Sequence, residues 1–350
     1  MIEEKSIKQL YFDREIAPFV PTNAKFVTPL CAYFPICGGC QLQELSYRDQ
    51  LVWKRNRLLY FLSQYNLDLG HLTRETVGMS SDPFYYRNKA DFTSKTWDGL
   101  VHLGFRPYGG KGPLIEMDEC PLLLKPINKA LEVFRPLLYD EKRLSKKFVS
   151  LVIRSSQSKG NVSVLYHSKL KSVDVYAEIT EKAGRSLSNL SGGTFIKNRK
   201  EHVFGSSELV EEVDSISLEY SVRSFFQANP KMLPVLCSTV RDLAEPCDNK
   251  LLVDLYCGVG LFSLYLADYF DEVRGIEDSK NSIEMANKNS LRLVKNNVFF
   301  FKDRAENSLD SLRNLYLDPS LLVIDPPRSG MAKELIDYLK TRSHKYFNDK

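Results

Sequence analysis

One stretch decides the fold of this 350-residue chain: Val253-Asp254-Leu255-Tyr256-Cys257-Gly258-Val259-Gly260. It reads as an apolar strand that leads through an acid into two glycines, which let the backbone pass close to a ligand where a side chain would block it. A second segment, Ile324-Asp325-Pro326-Pro327-Arg328, also ends an apolar strand in an acid. A doubly wound parallel sheet would place both acids around one nucleotide-like cofactor.

Helical and strand patterns alternate from about residue 221 onward. The predicted strands are Leu251–Leu255, Glu272–Ile276, Val298–Phe301 and Leu321–Ile324. The predicted helices are Pro230–Leu243, Leu261–Tyr269, Ser279–Val294 and Ala332–Leu339. This alternation predicts an α/β domain over 221–350, with a parallel sheet and right-handed crossovers. Four strands make an incomplete sheet of this class, so the last strand is expected to leave an open edge.

An α+β domain is expected over 25–220, after a loosely held leader at 1–24. A helix should begin at a capping box at Ser46 and have one buried and one basic side. Two antiparallel hairpins are predicted, with turns at Trp97-Asp98-Gly99 and Ser158-Lys159-Gly160. Two further helices are expected at Lys125–Leu138 and Val173–Ala183.

The composition is that of an ordinary soluble globular protein, with 43% hydrophobic and 26% charged residues. No apolar run approaches the ~20 residues that cross a bilayer, and Met1–Leu10 carries charges where a signal peptide is apolar. We therefore expect a cytoplasmic protein with no membrane partner. The net charge of +4 permits nucleic acid as a partner without requiring it.

The cofactor type is suggested by Glu277, which closes the second strand nineteen residues beyond Gly258. At this distance a carboxylate meets a ribose hydroxyl pair in this architecture. A nicotinamide dinucleotide is the main rival, but the third glycine or alanine of its fingerprint would fall at Ser263. S-adenosylmethionine fits better. The alternative is a structural glycine turn in a domain that binds no cofactor.

Two further acids favour the binding pocket over the structural turn. Asp303 follows the third strand and could contact the adenine, although an acid in this place is often only a helix cap. Two prolines follow Asp325, and they fix the backbone so that its carboxylate stays at the edge of the cofactor.

Four cysteines form a second candidate site, because seven cysteines in a reducing compartment are not expected to form disulfides. Cys31, Cys37 and Cys40 are six and three residues apart, and Cys120 follows eighty residues later. They converge only if the hairpin region folds back over the first loop. Zinc and an iron–sulfur cluster both accept four thiolates, and the spacing does not distinguish them. Outside this group we expect the remaining cysteines to be inert or small packing residues: Cys237, Cys247 and Cys257.

The sequence resembles the bacterial uracil-5 RNA methyltransferases, especially those that act on 23S ribosomal RNA. The resemblance covers roughly residues 30 to 340. It is carried by Cys31-x5-Cys37-Gly-Gly-Cys40 with Cys120, Tyr86-Arg87-Asn88-Lys89, Ser224-Phe225-Phe226-Gln227-Ala228-Asn229, Asp254 to Gly260 and Asp325-Pro-Pro-Arg328.

The resemblance implies two cofactors and an RNA partner. A 4Fe-4S cluster would be bound by the four cysteines named above. S-adenosylmethionine would be bound by residues that match Gln227, Tyr256, Glu277 and Asp325. Arg87 and Lys89 would contact the RNA, whereas Phe225 and Phe226 are expected in the core. The small β-barrel (TRAM domain) that often precedes such proteins is not expected here, and the chain should be a monomer.

Methylation at carbon 5 of uracil requires a cysteine thiolate that adds at carbon 6, because carbon 5 is a poor nucleophile on its own. The family carries this cysteine, and a base, after the Asp-Pro-Pro-Arg segment. No cysteine follows Cys257 in the sequence. We therefore expect a truncated family member of doubtful activity, and the rival is an RNA-binding iron–sulfur protein without catalysis. A DNA adenine methylase also begins its motif with Asp-Pro-Pro, but it expects an aromatic residue where Arg328 stands.

Overall fold

The computed structural model describes residues 16–64, 82–244, 250–308 and 321–347, with side chains up to residue 340. Most of the expected leader and Cys247 lie outside these ranges. The chain divides into two compact units. The first contains the residues up to Ser155 together with Val164–Gly205, and the second contains Ser156–Ser163 and the residues from Ser206 onward.

The first unit is built on a six-stranded sheet with helices beside it. Its helices are α1 (Tyr47–Ser63), α2 (Lys125–Tyr139) and α3 (Asp174–Gly184). Its strands are β1 (Lys89–Trp97), β2 (Leu100–Gly104), β3 (Phe148–Ser155), β4 (Val162–Ser168), β5 (Leu190–Lys197) and β6 (Lys200–Gly205). The strand order is β2-β1-β3-β4-β5-β6, and β1 pairs antiparallel with both β2 and β3. The expected α+β character of this region is confirmed.

Local sequence signals explain where several elements of this unit begin and turn. The Ser46 hydroxyl accepts a hydrogen bond from the Asp49 backbone N–H, which caps α1 as the capping box predicted. Asp98 and Gly99 adopt positive φ in the turn between β1 and β2, and Gly160 does so in the turn between β3 and β4. Both predicted hairpins are therefore confirmed.

The second unit contains a parallel sheet and a separate hairpin. The hairpin consists of β7 (Glu208–Val213) and β8 (Ile216–Ser221). The sheet strands are β9 (Leu251–Leu255), β10 (Glu272–Glu277), β11 (Val298–Lys302) and β12 (Leu321–Ile324), in the order β11-β10-β9-β12. The helices are α4 (Leu233–Ala244), α5 (Leu261–Tyr265), α6 (Lys280–Arg292) and α7 (Lys333–Phe347). All three strand pairs are parallel, as predicted.

Both faces of this parallel sheet are covered, which explains the continuous apolar strand patterns. On one face Leu252 packs in a core with residues of the β7–β8 hairpin and of α5. On the other face Val253 and Leu255 pack against Leu335 and Tyr338 of α7. The alternation within β9 follows the period of two expected of a strand.

The structure corrects several expected element boundaries. The helix predicted from Pro230 is a 3₁₀ turn, Pro230–Met232, followed by α4, and the helix predicted over Leu261–Tyr269 is α5 followed by the 3₁₀ turn Ala267–Tyr269. Two hairpins, β5–β6 and β7–β8, were not predicted. The β7–β8 hairpin belongs to the second unit, whereas the sequence placed residues up to 220 in the first domain. Within the described ranges, no helix has the length and apolar character needed to cross a membrane.

Candidate functional site

The glycine loop after β9 turns through three residues in the left-handed region. Tyr256 has a φ of 64°, Gly258 of 57° and Gly260 of 88°. A Cβ atom added to Gly258 would meet nothing within 4 Å, so this glycine borders open space in which a ligand can approach the backbone. A Cβ added to Gly260 would lie 2.7 Å from the ring of Phe300. The first glycine therefore leaves room for a ligand, whereas the second is required by packing.

Glu277 lies at the end of β10 and supports this loop from the neighbouring strand. Its Oε2 accepts a hydrogen bond of 3.1 Å from the Gly258 backbone N–H, and its Oε1 accepts one of 2.9 Å from the Ser279 N–H. Each oxygen has a further lone pair for a ligand hydroxyl. The geometry brings the carboxylate to the glycine loop, and its contact with a ribose hydroxyl pair stays a prediction.

Gln227 and Asp325 meet on the other side of the loop. The Gln227 Nε2 donates a hydrogen bond of 2.8 Å to the Asp325 Oδ2. Together with Tyr256 and Gly258 they line a cavity of about 30 Å³, which has room for about one water molecule. Four residues of the segments predicted to form the cofactor pocket thus surround one small space.

The Ser224–Asn229 segment is fixed to α6 by buried hydroxyls. The Oδ1 of Asn281 accepts hydrogen bonds from Ser221 Oγ, at 2.7 Å, and from Ser224 Oγ, at 2.9 Å. Phe226 is buried and stacks on Tyr220 with ring centroids 4.4 Å apart, so its expected core position is confirmed.

Phe225 is 66% exposed, and the expectation that it belongs to the core is wrong. Its neighbour Phe226 is buried, so the two adjacent rings lie in different environments. The Phe225 ring borders the same cavity as Gln227 and Asp325. An exposed aromatic ring in this position provides a flat apolar face for a base.

Asp254 has a structural place beneath the loop. It is 1% exposed, and its Oδ2 accepts hydrogen bonds from the Ser263 N–H at 3.0 Å and the Ser263 Oγ at 2.6 Å. Burial raises the pKa of Asp254 to about 7, and the nearby charges of Asp325 and Glu277 act in the same direction. Its Oδ1 has no hydrogen-bond partner in the described part of the chain. From the sequence, Ser263 served only to exclude a dinucleotide, and its contact with Asp254 was not predicted.

Asn289 on α6 is a second contributor that the sequence analysis missed. Its Oδ1 accepts a 2.7 Å hydrogen bond from the Glu219 N–H, and its Nδ2 donates to Glu219 O at 2.9 Å and to Val259 O at 3.2 Å. One buried side chain thus joins strand β8 to the glycine loop. The only sequence signal was an asparagine on the apolar side of a predicted helix, where amides are uncommon.

Asp303 lies beyond β11, with its backbone N–H donating to Glu277 O at 3.1 Å. Its Oδ1 accepts hydrogen bonds from the Arg304 N–H at 2.8 Å and from Asn307 Nδ2 at 2.9 Å. The carboxylate therefore caps the turn that follows, which is the alternative role considered from the sequence. A contact with adenine stays a prediction.

The four cysteines of the first unit surround one cavity of about 540 Å³, lined by Cys31, Cys37, Cys40 and Cys120. Cys37 forms an isolated bridge with Pro107, and the Gly38 N–H donates to Arg106 O, so the first loop lies against the chain that follows β2. The Cys120 N–H donates to Asn128 Oδ1 at 3.0 Å, and Asn128 Nδ2 donates back to Cys120 O at the same distance. All four cysteines therefore border one space, and its use as a metal site stays a prediction.

Burial disfavours the thiolate form of three of these cysteines, Cys37, Cys40 and Cys120. Desolvation raises the pKa of Cys37 and of Cys120, and it raises the pKa of Cys40 to about 11. The charges of the neighbouring cysteines act in the same direction. Across the described ranges, no three Cys, His, Asp or Glu side chains are close enough to bind a single metal ion. The cysteines share a cavity but stand apart around it.

The two residues expected to contact RNA lie at the start of β1 or just before it. Arg87 is exposed, and its Nε donates to Lys89 O at 3.1 Å. Burial lowers the pKa of Lys89, and the charge of Arg154 on the paired strand lowers it further. Arg87 also borders the cavity of the four cysteines. Of the two, Arg87 is the more accessible to a phosphate.

The two described cysteines of the second unit are buried and unreactive. Cys237 is 0% exposed, and burial raises its pKa to about 12. Cys257 is 5% exposed, and burial raises its pKa well above the ordinary value. Because the thiolate is the nucleophile, neither group is suited to attack a base.

Comparison with known proteins identifies the family. Residues 46–346 match the family model described as tRNA (Uracil-5-)-methyltransferase. The chain belongs to this family. Its members are S-adenosylmethionine-dependent RNA (uracil-5-)-methyltransferases.

Two relatives agree with this assignment, and a solved structure shares the fold. An uncharacterized RNA methyltransferase of Enterococcus faecalis is 30% identical in an alignment of 336 positions that covers 89% of this chain and 72% of the relative. Another from Halalkalibacterium halodurans is 28% identical in an alignment of 359 positions that covers 97% of this chain and 77% of the relative. The crystal structure of Pyrococcus abyssi tRNA (uracil-54, C5)-methyltransferase with S-adenosyl-L-homocysteine matches with a TM-score of 0.65 at 23% identity and covers 88% of this chain and 74% of that one. The expected α/β methyltransferase fold is thus confirmed.

Proposed function

We propose that this protein binds S-adenosylmethionine at the glycine loop and serves methyl transfer to carbon 5 of a uridine in 23S ribosomal RNA. The observation that carries the proposal is the meeting of Gly258, Glu277, Gln227 and Asp325 around one loop in a member of the uracil-5 family. The choice of ribosomal RNA rests on the four-cysteine motif, which the sequence shares with the enzymes of that class.

The open space at Gly258 supports the cofactor assignment. A ligand can approach the backbone there, and Glu277 is already hydrogen-bonded to the loop with lone pairs left for the ribose hydroxyls. Gln227 and Asp325 would then contact the methionine end or the target base, and Tyr256 would lie against the cofactor. Because the cavity is small, we expect the bond between Gln227 and Asp325 to open when the cofactor enters.

The target uridine would stack on the exposed Phe225 ring beside the same cavity. A base must leave its stack to reach a methyl group, which favours a loop or an unpaired segment of RNA. Arg87 would contribute a phosphate contact, with Lys89 contributing less because burial disfavours its charge.

The cysteine cavity supports a cluster site. Cys31, Cys37, Cys40 and Cys120 line one cavity of about 540 Å³, so four thiols surround a single space. Four thiolates are the donor set of a 4Fe-4S cluster. The choice of this cluster over zinc rests on the cysteine motif that the sequence shares with the iron–sulfur members of the family. When bound, the cluster would link the first loop to Cys120 covalently.

The nucleophilic step has no suitable group among the described cysteines of the second unit. Cys237 and Cys257 are buried thiols. Their burial is the observation behind a second candidate function, an RNA-binding iron–sulfur protein that binds the cofactor without turnover.

One assay distinguishes the two candidates. The purified 350-residue protein is incubated with methyl-labelled S-adenosylmethionine and unmodified 23S ribosomal RNA, with transfer RNA as the comparison substrate. Label in 5-methyluridine of the ribosomal RNA would support the enzyme, and label in transfer RNA alone would overturn the substrate. Binding of the cofactor by calorimetry without any transfer would support the second candidate. Absence of cofactor binding by folded protein would contradict both.

A further inference from the structure

Gln43 is a buried polar residue next to the cysteine loop, and the functional assignments above do not use it. Its side chain is 8% exposed, whereas Gln41, two residues earlier, is exposed. A buried amide destabilises the fold unless its hydrogen bonds are made, so an apolar residue would serve better if only packing mattered. The partners of Gln43 therefore indicate why a glutamine is present.

Both ends of the Gln43 amide contact the cysteine loop. Its Oε1 accepts a hydrogen bond of 3.2 Å from the Cys31 backbone N–H. Its Nε2 donates to the Cys40 Sγ at 3.1 Å. The orientation of the amide follows from chemistry, because a backbone N–H is always a donor and must face the oxygen. The NH₂ group is thus directed at the Cys40 sulfur.

A hydrogen bond of this kind is more favourable to a thiolate than to a thiol. A neutral thiol sulfur is a weak acceptor, whereas a negatively charged sulfur forms a charge-assisted bond. The short N–S distance therefore suits a Cys40 that acts as a metal ligand. The same side chain fixes the backbone of Cys31, so one residue positions two of the four cysteines.

We infer that Gln43 is a positioning residue for the iron–sulfur cluster and that its N–H···S bond to Cys40 raises the reduction potential of the cluster. The inference rests on the cluster proposed above. Reduction adds negative charge to the cluster and its sulfurs, and a donor directed at one of them stabilises that charge. Loss of the donor should make the cluster harder to reduce.

Two variants separate the donor from the positioning role. Gln43→Glu keeps an oxygen for the Cys31 N–H and has nearly the same shape, but it removes the donor to Cys40. Gln43→Leu removes both bonds. Gln41→Glu is the matched control, since it makes the same charge change at an exposed position two residues away.

The experiment uses the full chain purified without oxygen. Iron and sulfide are measured per chain, the midpoint potential is titrated with the visible and electron paramagnetic resonance signals, and the loss of iron to a chelator is timed. We expect Gln43→Glu to retain iron and to have a more negative potential, with Gln41→Glu close to the unsubstituted protein. We expect Gln43→Leu to lose iron about tenfold faster or more, since removal of an outer partner of a metal ligand typically lowers metal affinity by about tenfold to a hundredfold.

The outcomes of the experiment separate the inference from the proposed cluster. A brown unsubstituted protein whose potential is unchanged by Gln43→Glu, and whose iron loss is unchanged by Gln43→Leu, would overturn the role of Gln43 and leave the cluster intact. An equal shift of potential in Gln41→Glu would also overturn it, because the effect would then be one of charge alone. A colourless unsubstituted protein with stoichiometric zinc would overturn the cluster, and the inference with it.

Discussion

The Gln227 amide and the Asp325 carboxylate form a 2.8 Å hydrogen bond although 98 residues separate them in the sequence. Both residues line the space beside the glycine loop. The Asp-Pro-Pro segment fixes one partner, because two prolines restrict the backbone after Asp325. The other partner lies on a segment that Ser221 and Ser224 fasten to Asn281. Both hydrogen-bonding partners thus lie on restrained segments. A ligand that enters between them can replace the bond between Gln227 and Asp325.

Substitution of Asp325 should weaken cofactor binding. A hydrogen bond to a charged group contributes about 1.5–3 kcal/mol, so Asp325→Ala should raise the dissociation constant of S-adenosylhomocysteine by roughly tenfold to a hundredfold. Calorimetry measures this directly. Asp337→Ala on the exposed side of α7 is the control and should leave the affinity unchanged. Equal affinity in both variants would remove Asp325 from the site.

The two glycines of the loop should respond differently to alanine. The methyl group of Gly258→Ala meets open space, so this variant should lose only the about 1–2 kcal/mol of folding stability that a left-handed backbone costs a residue with a Cβ atom. The methyl group should also reduce the affinity for the cofactor, because it occupies the space at the loop. Gly260→Ala carries the same backbone cost and in addition places a methyl group 2.7 Å from the Phe300 ring. Urea unfolding should therefore show the larger loss of stability at Gly260.

A second substitution tests the cause of that difference. Phe300→Leu combined with Gly260→Ala should recover part of the lost stability, because the clash is with the ring. If the double variant is as unstable as the sum of the two single variants, then the packing explanation is incorrect.

Asp254 should make stability depend on pH. Its pKa is about 7 in the folded protein, whereas the ordinary pKa of an aspartate is 3.8, so between these values the folded chain keeps a proton that the unfolded chain has lost. The free energy of unfolding therefore falls as the pH rises from about 4 to 7. Asp254→Asn removes this pH-dependent loss of stability. The Oδ1 of the asparagine can still accept the hydrogen bonds from Ser263. We expect the variant to gain stability over the parent as the pH rises, by at most about 4 kcal/mol above pH 7.

Urea unfolding at pH 5 and at pH 8 measures this gain. The exposed Asp271→Asn is the control and should show the same stability difference from the parent at both pH values. An Asp254→Asn difference that does not change between pH 5 and pH 8 would show that the buried carboxyl does not titrate in this range.

The two neighbouring phenylalanines should separate RNA binding from stability. Phe225→Ala removes an exposed ring, so it should leave the thermal midpoint unchanged and weaken RNA binding by about 1–3 kcal/mol, the usual contribution of one stacked base. Phe226→Ala should cost about 3–5 kcal/mol of stability, since that ring is buried against Tyr220. Fluorescence anisotropy with a uridine-containing loop measures the first effect. Unchanged RNA affinity in Phe225→Ala would exclude stacking on this ring.

The sequence predicted the parallel sheet closely because its strands are short, mostly apolar runs, and the central strand β9 is buried on both faces. Strands β9 and β12 have the predicted bounds, Leu251–Leu255 and Leu321–Ile324. The hairpins β5–β6 and β7–β8 were not predicted from the sequence because their turns contain no glycine. Asn198, Arg199 and Asp214 adopt the positive φ angles there, and such residues give a weak turn signal.

The site was less accessible to prediction than the fold. Spacing from a motif located Glu277, since parallel strands bring successive loop ends to one edge. The exposure of Phe225 was not predictable, because two adjacent phenylalanines do not reveal which one faces the core. Contacts such as that of Ser263 with Asp254 depend on the path of the backbone, which motif spacing does not specify.

Asn289 gives the second unit a mechanical link that extends beyond the ligand site. Its amide is hydrogen-bonded both to Glu219 in the hairpin and to Val259 in the glycine loop. A local opening that displaces Asn289 therefore breaks its bonds to the hairpin and to the loop together. Hairpin and loop should therefore exchange their amide protons with solvent as a single cooperative unit. A molecule that rigidifies the loop would slow exchange at Glu219, on a strand that it never touches.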